Sequence, residues 1–143
     1  GLFGDIIDRS LLLAGTFLLD FAKEKEFTFS QLGLVTEYSV KGQLLGHLVM
    51  GAQEVSNVAA ELGIPEDKSV LLQHMILSHH GEPEFGAAVK PICAESELLS
   101  QIDMLDSRME IYRETLAGLQ VGEVSSRIFA LDKRVFKPHE LNG

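Results

Sequence analysis

Two adjacent histidines, His79 and His80, are the residues of this 143-residue chain best suited to bind a metal ion. Three further residues of metal-binding type, Asp20, His47 and Asp103, lie on separate segments. Neutral imidazole nitrogens and carboxylate oxygens are common ligands of divalent metals. Each of the five lies in or beside an apolar stretch, where a polar group without a partner costs free energy. A shared metal ion would satisfy them together, so the sequence indicates a candidate metallohydrolase.

Each residue also has a purely structural explanation. His47 shares a predicted helix face with apolar residues and could be a buried histidine bonded to a carbonyl. His79 stands at a predicted helix C-terminus, where the helix dipole favours histidine. Neighbouring helical residues point about 100° apart, so one histidine of the pair could bind metal while the other contacts a substrate phosphate. Asp20 could be a surface carboxylate that pairs with Lys23 or Lys25.

Length and composition predict one domain, residues 1–143, with a real core. The chain is 45% hydrophobic with a mean hydropathy of +0.13, which excludes a disordered tail. The apolar run over residues 11–19, broken by Thr16, is far shorter than the roughly 20 residues of a membrane span. The single cysteine, Cys93, excludes an internal disulfide and a cysteine-rich zinc site. No basic region for secretion precedes the apolar run, so a cytoplasmic location is expected.

The net charge of −9 bears on the partner. A domain that holds nucleic-acid phosphates by itself is usually basic. An acidic domain can act on phosphates if metal cations supply the local positive charge. We therefore expect weak binding of a nucleotide or single-stranded RNA by this chain alone.

Hydrophobic periodicity predicts an all-α, orthogonal helical bundle. The four predicted helices cover about residues 6–25, 43–62, 66–80 and 94–119. Asp5 or Asp8 is expected to cap the first helix, while Gly63 and Gly81 end the second and third. Residues 26–40 are expected to form a loop with some extended structure, and residues 82–91 a second loop. The region 120–143 should hold one short amphipathic stretch around residues 128–131 and then a polar end. The inward residues predicted for the fourth helix are Leu98, Leu99, Ile102, Leu105, Met109 and Tyr112.

Several sequence blocks carry a family resemblance over roughly residues 8–138. They read DRSLLLAGTFLLDFAKEKEF, TEYSVKGQLLGHLVMG, LLQHMILSHHGEPEFGAAVKP, SELLSQIDMLDSRM and RIFALDKRVFKP. The chain resembles the HD-domain superfamily of metal-dependent phosphohydrolases, and more closely the HD domain of the YhaM-type 3′–5′ exoribonucleases. The resemblance implies an HD-domain-like helical bundle that binds a divalent metal (Mn²⁺, Fe²⁺, Mg²⁺ or Zn²⁺) and hydrolyses nucleotide or RNA phosphodiesters.

The family places its ligands in the order His, His-Asp, His, His-His, Asp. By this resemblance the expected metal ligands are Asp20, His47, His79, His80 and Asp103. Two of them, Asp20 and His80, are also expected to take part in catalysis. Lys23, Lys41 and Arg108 are candidates for contacting substrate phosphate.

Two departures from the family pattern weaken the expected site. Leu19 stands where the family has the histidine of its His-Asp pair, and no histidine precedes His47. The N-terminal OB-like module of full-length relatives is not in the sequence either. We expect at most one loosely held ion. Two alternatives remain open, a non-catalytic HD-like interaction or regulatory module and a nucleotide sensor without turnover, and a homo-oligomer is conceivable for any of these functions.

Overall fold

The structure is a computed structural model that describes residues 1–31 and 44–143. The described residues form four α-helices: α1 (Arg9–Gln31), α2 (His47–Glu61), α3 (Glu66–Ser78) and α4 (Ala94–Ala117). A 3₁₀ turn, Pro83–Phe85, lies between α3 and α4. Two isolated antiparallel bridges are the β-type pairing found in the described part of the chain. The predicted all-α fold is therefore confirmed.

Helix α1 begins three residues later and ends six residues later than predicted. Asp8 caps it, since the Asp8 Oδ1 atom accepts a hydrogen bond from the Leu11 N–H at 3.1 Å. This bond, aided by the nearby Lys68 ammonium, lowers the pKa of Asp8 against an opposing effect of desolvation. The predicted loop is wrong for residues 26–31, which continue the helix. Residues 22–26 read AKEKE, all good helix formers, and no Gly or Pro occurs between them and the end of the helix at Gln31, so nothing in the sequence breaks the helix there. The rest of that predicted loop, residues 32–40, lies outside the described residues.

Glycines set both ends of α2. Residues 44–45 are helical, and Gly46, with a φ of +81°, separates them from α2, so the helix predicted over residues 43–62 is interrupted there. Gly63 has a φ of +71°, and the Ile64 N–H donates to the Ala59 carbonyl at 2.9 Å. This αL closure is the one predicted at Gly63. Leu62, predicted to be the last residue of the helix, is its C-cap and is 71% exposed.

The apolar core joins α1, α3 and the start of α4. Its buried members are Leu11, Leu19, Leu72, Met75, Ile76 and Leu99. Leu48 and Val55 of α2 pack against this cluster. Gly15 permits the close approach of α1 to α3, since a Cβ atom at this position would lie 2.2 Å from the Met75 Cε atom. Among the described residues, no helix combines the length and apolar character that crossing a membrane requires.

The chain divides into two compact units, Gly1–Gln101 and Ile102–Gly143, and the division falls inside the continuous helix α4. In the first unit, Leu99 is buried as predicted. In the second unit, the predicted inward positions are wrong for three residues. Ile102, Leu105 and Met109 are 43%, 58% and 53% exposed. Helical periodicity identifies residues that share a face, but only packing determines whether that face is covered.

The end of the second unit folds back on itself in short bridges. Val124 pairs with Phe136 and Ile128 pairs with Lys133. Leu131, in the predicted amphipathic stretch, is buried, whereas the neighbouring Phe129 is 93% exposed.

Candidate metal centre

The His79-His80 pair lies where α3 ends. Ser78 is the last residue of the helix, and His79 occupies the C-cap position with helical dihedral angles. Gly81 follows with a φ of +81°, and its N–H donates to the Ser78 carbonyl at 2.8 Å. The helix thus ends two residues before the predicted residue 80, and Gly81 closes the turn that follows it. His80 lies outside the regular helix, so the 100° separation expected for neighbouring helical side chains does not apply to this pair.

A backbone contact orients the His79 ring. The side chain is buried, and its Nδ1 atom lies 2.6 Å from the Ile76 carbonyl oxygen. A carbonyl oxygen only accepts hydrogen bonds, so the proton of the neutral ring is on Nδ1 and the Nε2 atom carries the lone pair. Metal-binding histidines commonly donate their second N–H to a backbone carbonyl in this way. In its neutral form, the His79 ring thus has the tautomer that a metal ligand needs.

Three metal-binding side chains come together around this position. One ligand atom each of His79, His80 and Asp103 lies within 4.8 Å of the others. The two imidazole rings are 4.0 Å apart between centroids and tilted by 39°. Asp103 is on α4, one turn beyond the buried Leu99, and the helix runs without interruption between them. His79 is buried, while His80 and Asp103 are half-buried.

The donor set fits a divalent cation after small side-chain adjustments. Ligand atoms about 2.1 Å from one ion are at most about 4.2 Å apart from each other. Two imidazole nitrogens and one carboxylate oxygen make a mixed set that suits Zn²⁺, Mn²⁺ or Fe²⁺. Three protein ligands also leave coordination positions for water or substrate, as in catalytic rather than structural sites.

The loop between α3 and α4 is tied to the last turns of α3. The Ala88 N–H donates to the Leu77 carbonyl at 2.9 Å. The Ile92 N–H donates to the His74 Nε2 atom at 3.1 Å, and the Ser96 Oγ lies 3.1 Å from the same nitrogen. The start of α4, which carries Asp103 two turns later, is therefore anchored to the helix that carries the two histidines.

Sequence reasoning did not assign His74 and Ser96 to this framework. Ser96 is fully buried, and its Oγ accepts a hydrogen bond from the Cys93 N–H at 3.2 Å. This resembles a capping box, in which the third helical residue bonds back to the N-cap. The signal available in the sequence was a small polar residue three positions after Cys93.

The other two predicted ligands are Asp20 and His47. Asp20 is exposed on α1 and does not belong to the group formed by the two histidines and Asp103. His47 is the first residue of α2, but its side chain lies outside the described part of the structure. The predicted five-residue site therefore stays a prediction.

The predicted phosphate contacts are likewise untested. Arg108 is half-buried on α4. The Lys23 side chain and the whole of Lys41 lie outside the described part of the structure.

Leu19 occupies the core. The side chain is 6% exposed and belongs to the apolar cluster with Met75 and Leu99. The position at which the resembling family has a histidine is therefore filled by a packed aliphatic side chain.

The chain is similar to several curated bacterial proteins named 3′–5′ exoribonuclease YhaM. It is 42% identical over 130 residues to the protein of Bacillus licheniformis, covering 91% of this chain and 40% of the relative. The identity to the Bacillus subtilis protein is also 42% over 130 residues, with the same coverage. The protein of Oceanobacillus iheyensis is 41% identical over 135 residues, which is 93% of this chain and 41% of that relative.

The chain thus spans about 40% of the length of the curated relatives that it matches. No protein-family model matches it. No solved structure matches it.

Proposed function

We propose that this chain is an HD-type, metal-dependent phosphohydrolase segment that acts on RNA or nucleotide phosphodiesters in the manner of a 3′–5′ exoribonuclease. The observation that carries the proposal is the coincidence of two features in the same residues. The region similar to the YhaM proteins includes His79, His80 and Asp103, and these side chains bring their ligand atoms within 4.8 Å of one another.

The three side chains would hold the ion in distinct ways. His79 is held in place by its contact with the Ile76 carbonyl and presents Nε2. His80 is half-buried and has more freedom, because it lies beyond the helix and next to Gly81. Asp103 contributes the negative charge that partly neutralises a divalent cation. When bound, the cation would activate water and stabilise charge on the phosphoryl oxygens.

The remaining roles follow from the family resemblance. Asp20 and His47 would complete the site, and Arg108, Lys23 and Lys41 would contact substrate phosphates. An acidic chain needs such local positive charges, because its net charge of −9 repels a polyanion.

Leu19 supports a second candidate, a non-catalytic HD-like module. A leucine cannot bind a metal, and this one is packed in the apolar core. In this second function the fold would persist as an interaction or regulatory segment, and the His79-His80 pair would serve as a helix end.

The deciding experiment measures metal binding and turnover on the same preparations. Isothermal titration with Mn²⁺ and hydrolysis of bis(p-nitrophenyl) phosphate and of a 5′-labelled oligoribonucleotide would be compared for wild type and Asp103→Asn. The catalytic proposal expects about one Mn²⁺ per chain, and a loss of roughly tenfold or more in affinity and turnover on substitution. Asp67→Asn, an exposed position in the first turn of α3, is the matched control and should change neither quantity.

Two results would separate the candidates. Metal binding without turnover in wild type would favour the non-catalytic module. Unchanged Mn²⁺ affinity in both Asp103→Asn and His80→Gln would contradict a metal centre at the end of α3.

A further inference from the structure

Helix α4 presents an exposed apolar seam in the second unit. Its members recur at alternating intervals of four and three residues: Ile102, Leu105, Met109, Tyr112 and Leu116. This is the a and d pattern of a heptad repeat, which is the pattern of helices that pair with another helix. The first three side chains of the seam are 43%, 58% and 53% exposed. A seam with this spacing that is open to water indicates a docking surface.

The far end of the seam is partly covered, since Tyr112 and Leu116 are half-buried and the Lys133 Nζ atom lies 5.7 Å from the centroid of the Tyr112 ring. Along one flank of the seam, Asp106 and Arg113 are exposed. They occupy successive e positions of the heptad, the positions whose charges set partner choice and orientation in coiled coils. This flank thus carries one acidic and one basic residue, seven positions apart.

We propose that the seam is an interface between two copies of this chain, whose α4 helices pair in antiparallel orientation. In an antiparallel pair, e positions face e positions of the partner helix. The register that places Leu105 against Leu116 of the second copy, and Met109 against Tyr112, brings Asp106 opposite Arg113. By symmetry this contact occurs twice.

The charges disfavour the competing arrangements. Shifting the antiparallel register by one heptad places Asp106 opposite itself and Arg108 opposite itself. A parallel pair, in which g positions face e positions, places Arg108 opposite Arg113. Like charges facing each other across such an interface are destabilising. Of these three arrangements, only the proposed antiparallel register brings opposite charges together.

The pairing is independent of hydrolysis, since it uses apolar and flanking residues of the second unit rather than the His79-His80 pair. Loss of metal binding and loss of dimerisation are therefore separate outcomes that can be measured independently. The Arg113 guanidinium pairs with Glu110 in its own helix, and both side chains of this pair are exposed.

The first test is sedimentation equilibrium of wild type, Leu105→Glu and Leu13→Glu. Leu105 and Leu13 are both 58% exposed, on α4 and α1 respectively, so neither charge should disrupt the core. We expect a concentration-dependent dimer for wild type and Leu13→Glu, and loss of the dimer for Leu105→Glu, with unchanged helical circular dichroism in all three. A wild-type chain that remains monomeric at its highest soluble concentration overturns the proposal, as does a dimeric Leu105→Glu.

The second test determines orientation by charge exchange. Asp106→Arg and Arg113→Asp should each raise the dimer dissociation constant by about threefold to tenfold, and the double exchange should restore it, because each contact is an exposed ion pair. In a parallel pair, Arg113→Asp would instead face Arg108 and tighten the dimer. The antiparallel register is overturned if Arg113→Asp lowers the dimer dissociation constant. It is also overturned if the double variant dimerises more weakly than both single variants.

Discussion

The His74 Nε2 atom lies 3.1 Å from the Oγ of the fully buried Ser96, and this contact links the middle of α3 to the first turn of α4. The same nitrogen accepts the Ile92 N–H at 3.1 Å. An acceptor role requires that Nε2 carry no proton, so the linkage needs a neutral imidazole. Burial accordingly lowers the pKa of His74 below its ordinary value of 6.5.

The first prediction is an acid sensitivity at this linkage. Because the folded-state pKa of His74 is lowered, its contribution to stability is fully present above the unfolded pKa of 6.5. The contribution is lost as the pH falls through the folded pKa. The free energy of unfolding, measured with urea between about pH 7.5 and about pH 5, should therefore fall less steeply for His74→Gln than for wild type. Glutamine retains an acceptor for the Ile92 N–H but does not titrate.

The control for this experiment is His139→Gln, in the exposed end of the chain. It should leave the pH dependence of stability as in wild type. Equal slopes for wild type and His74→Gln would show that the titration of His74 is not linked to folding.

The second prediction concerns the close approach of Gly15 and Met75. Replacing Gly15 by Val should lower the free energy of unfolding by about 1–3 kcal/mol, since a well-packed core does not accept added methyl groups without strain. Met75 is fully buried and its thioether would be the group displaced. The loss from Gly15→Val combined with Met75→Ala should be smaller than the sum of the two single losses, because the shortened side chain vacates the space.

Gly51→Ala on α2 is a useful comparison, because a Cβ there meets the Ile76 side chain at an ordinary 3.5 Å. Strict additivity of Gly15→Val and Met75→Ala would contradict the packing described for α1 and α3.

The third prediction addresses Leu19. Replacing it by His should lower the free energy of unfolding by about 2–4 kcal/mol without metal, because it removes a packed aliphatic group and buries a polar ring. If the position adjoins a metal site, as the resemblance implies, saturating Mn²⁺ should recover part of this loss and raise the melting temperature more than for wild type. Differential scanning fluorimetry with and without Mn²⁺ measures both effects. An equal Mn²⁺ response of wild type and Leu19→His would separate this position from metal binding.

The fourth prediction is weak, salt-sensitive binding of RNA. The chain carries 12 basic and 21 acidic residues, so a fluorescein-labelled single-stranded oligoribonucleotide should give little change in anisotropy at physiological salt without metal. Arg108→Gln should weaken whatever binding remains at low salt, whereas Arg9→Gln at the exposed start of α1 should have less effect. Tight binding by the metal-free chain would contradict the expectation drawn from its charge.

The sequence alone determined the local features of this protein. Apolar periodicity identified the helices, and Gly63 and Gly81 marked two of their ends, because these signals depend on neighbours only a few residues away. The types of His79, His80 and Asp103 likewise marked metal-binding chemistry before any distance was known. Where the local signal was ambiguous, as in residues 26–31, the continuation of α1 was missed.

Only the tertiary structure decided which of these features meet and which faces remain open. Periodicity placed Leu99, Leu105 and Met109 on the apolar side of α4, but the core covers the first and leaves the other two in water. The sequence left open whether Asp20, beside the apolar run that ends at Leu19, binds a metal or lies at the surface, and the structure buries Leu19 and exposes Asp20. Burial depends on contacts between segments far apart in the chain, and no local pattern encodes those contacts.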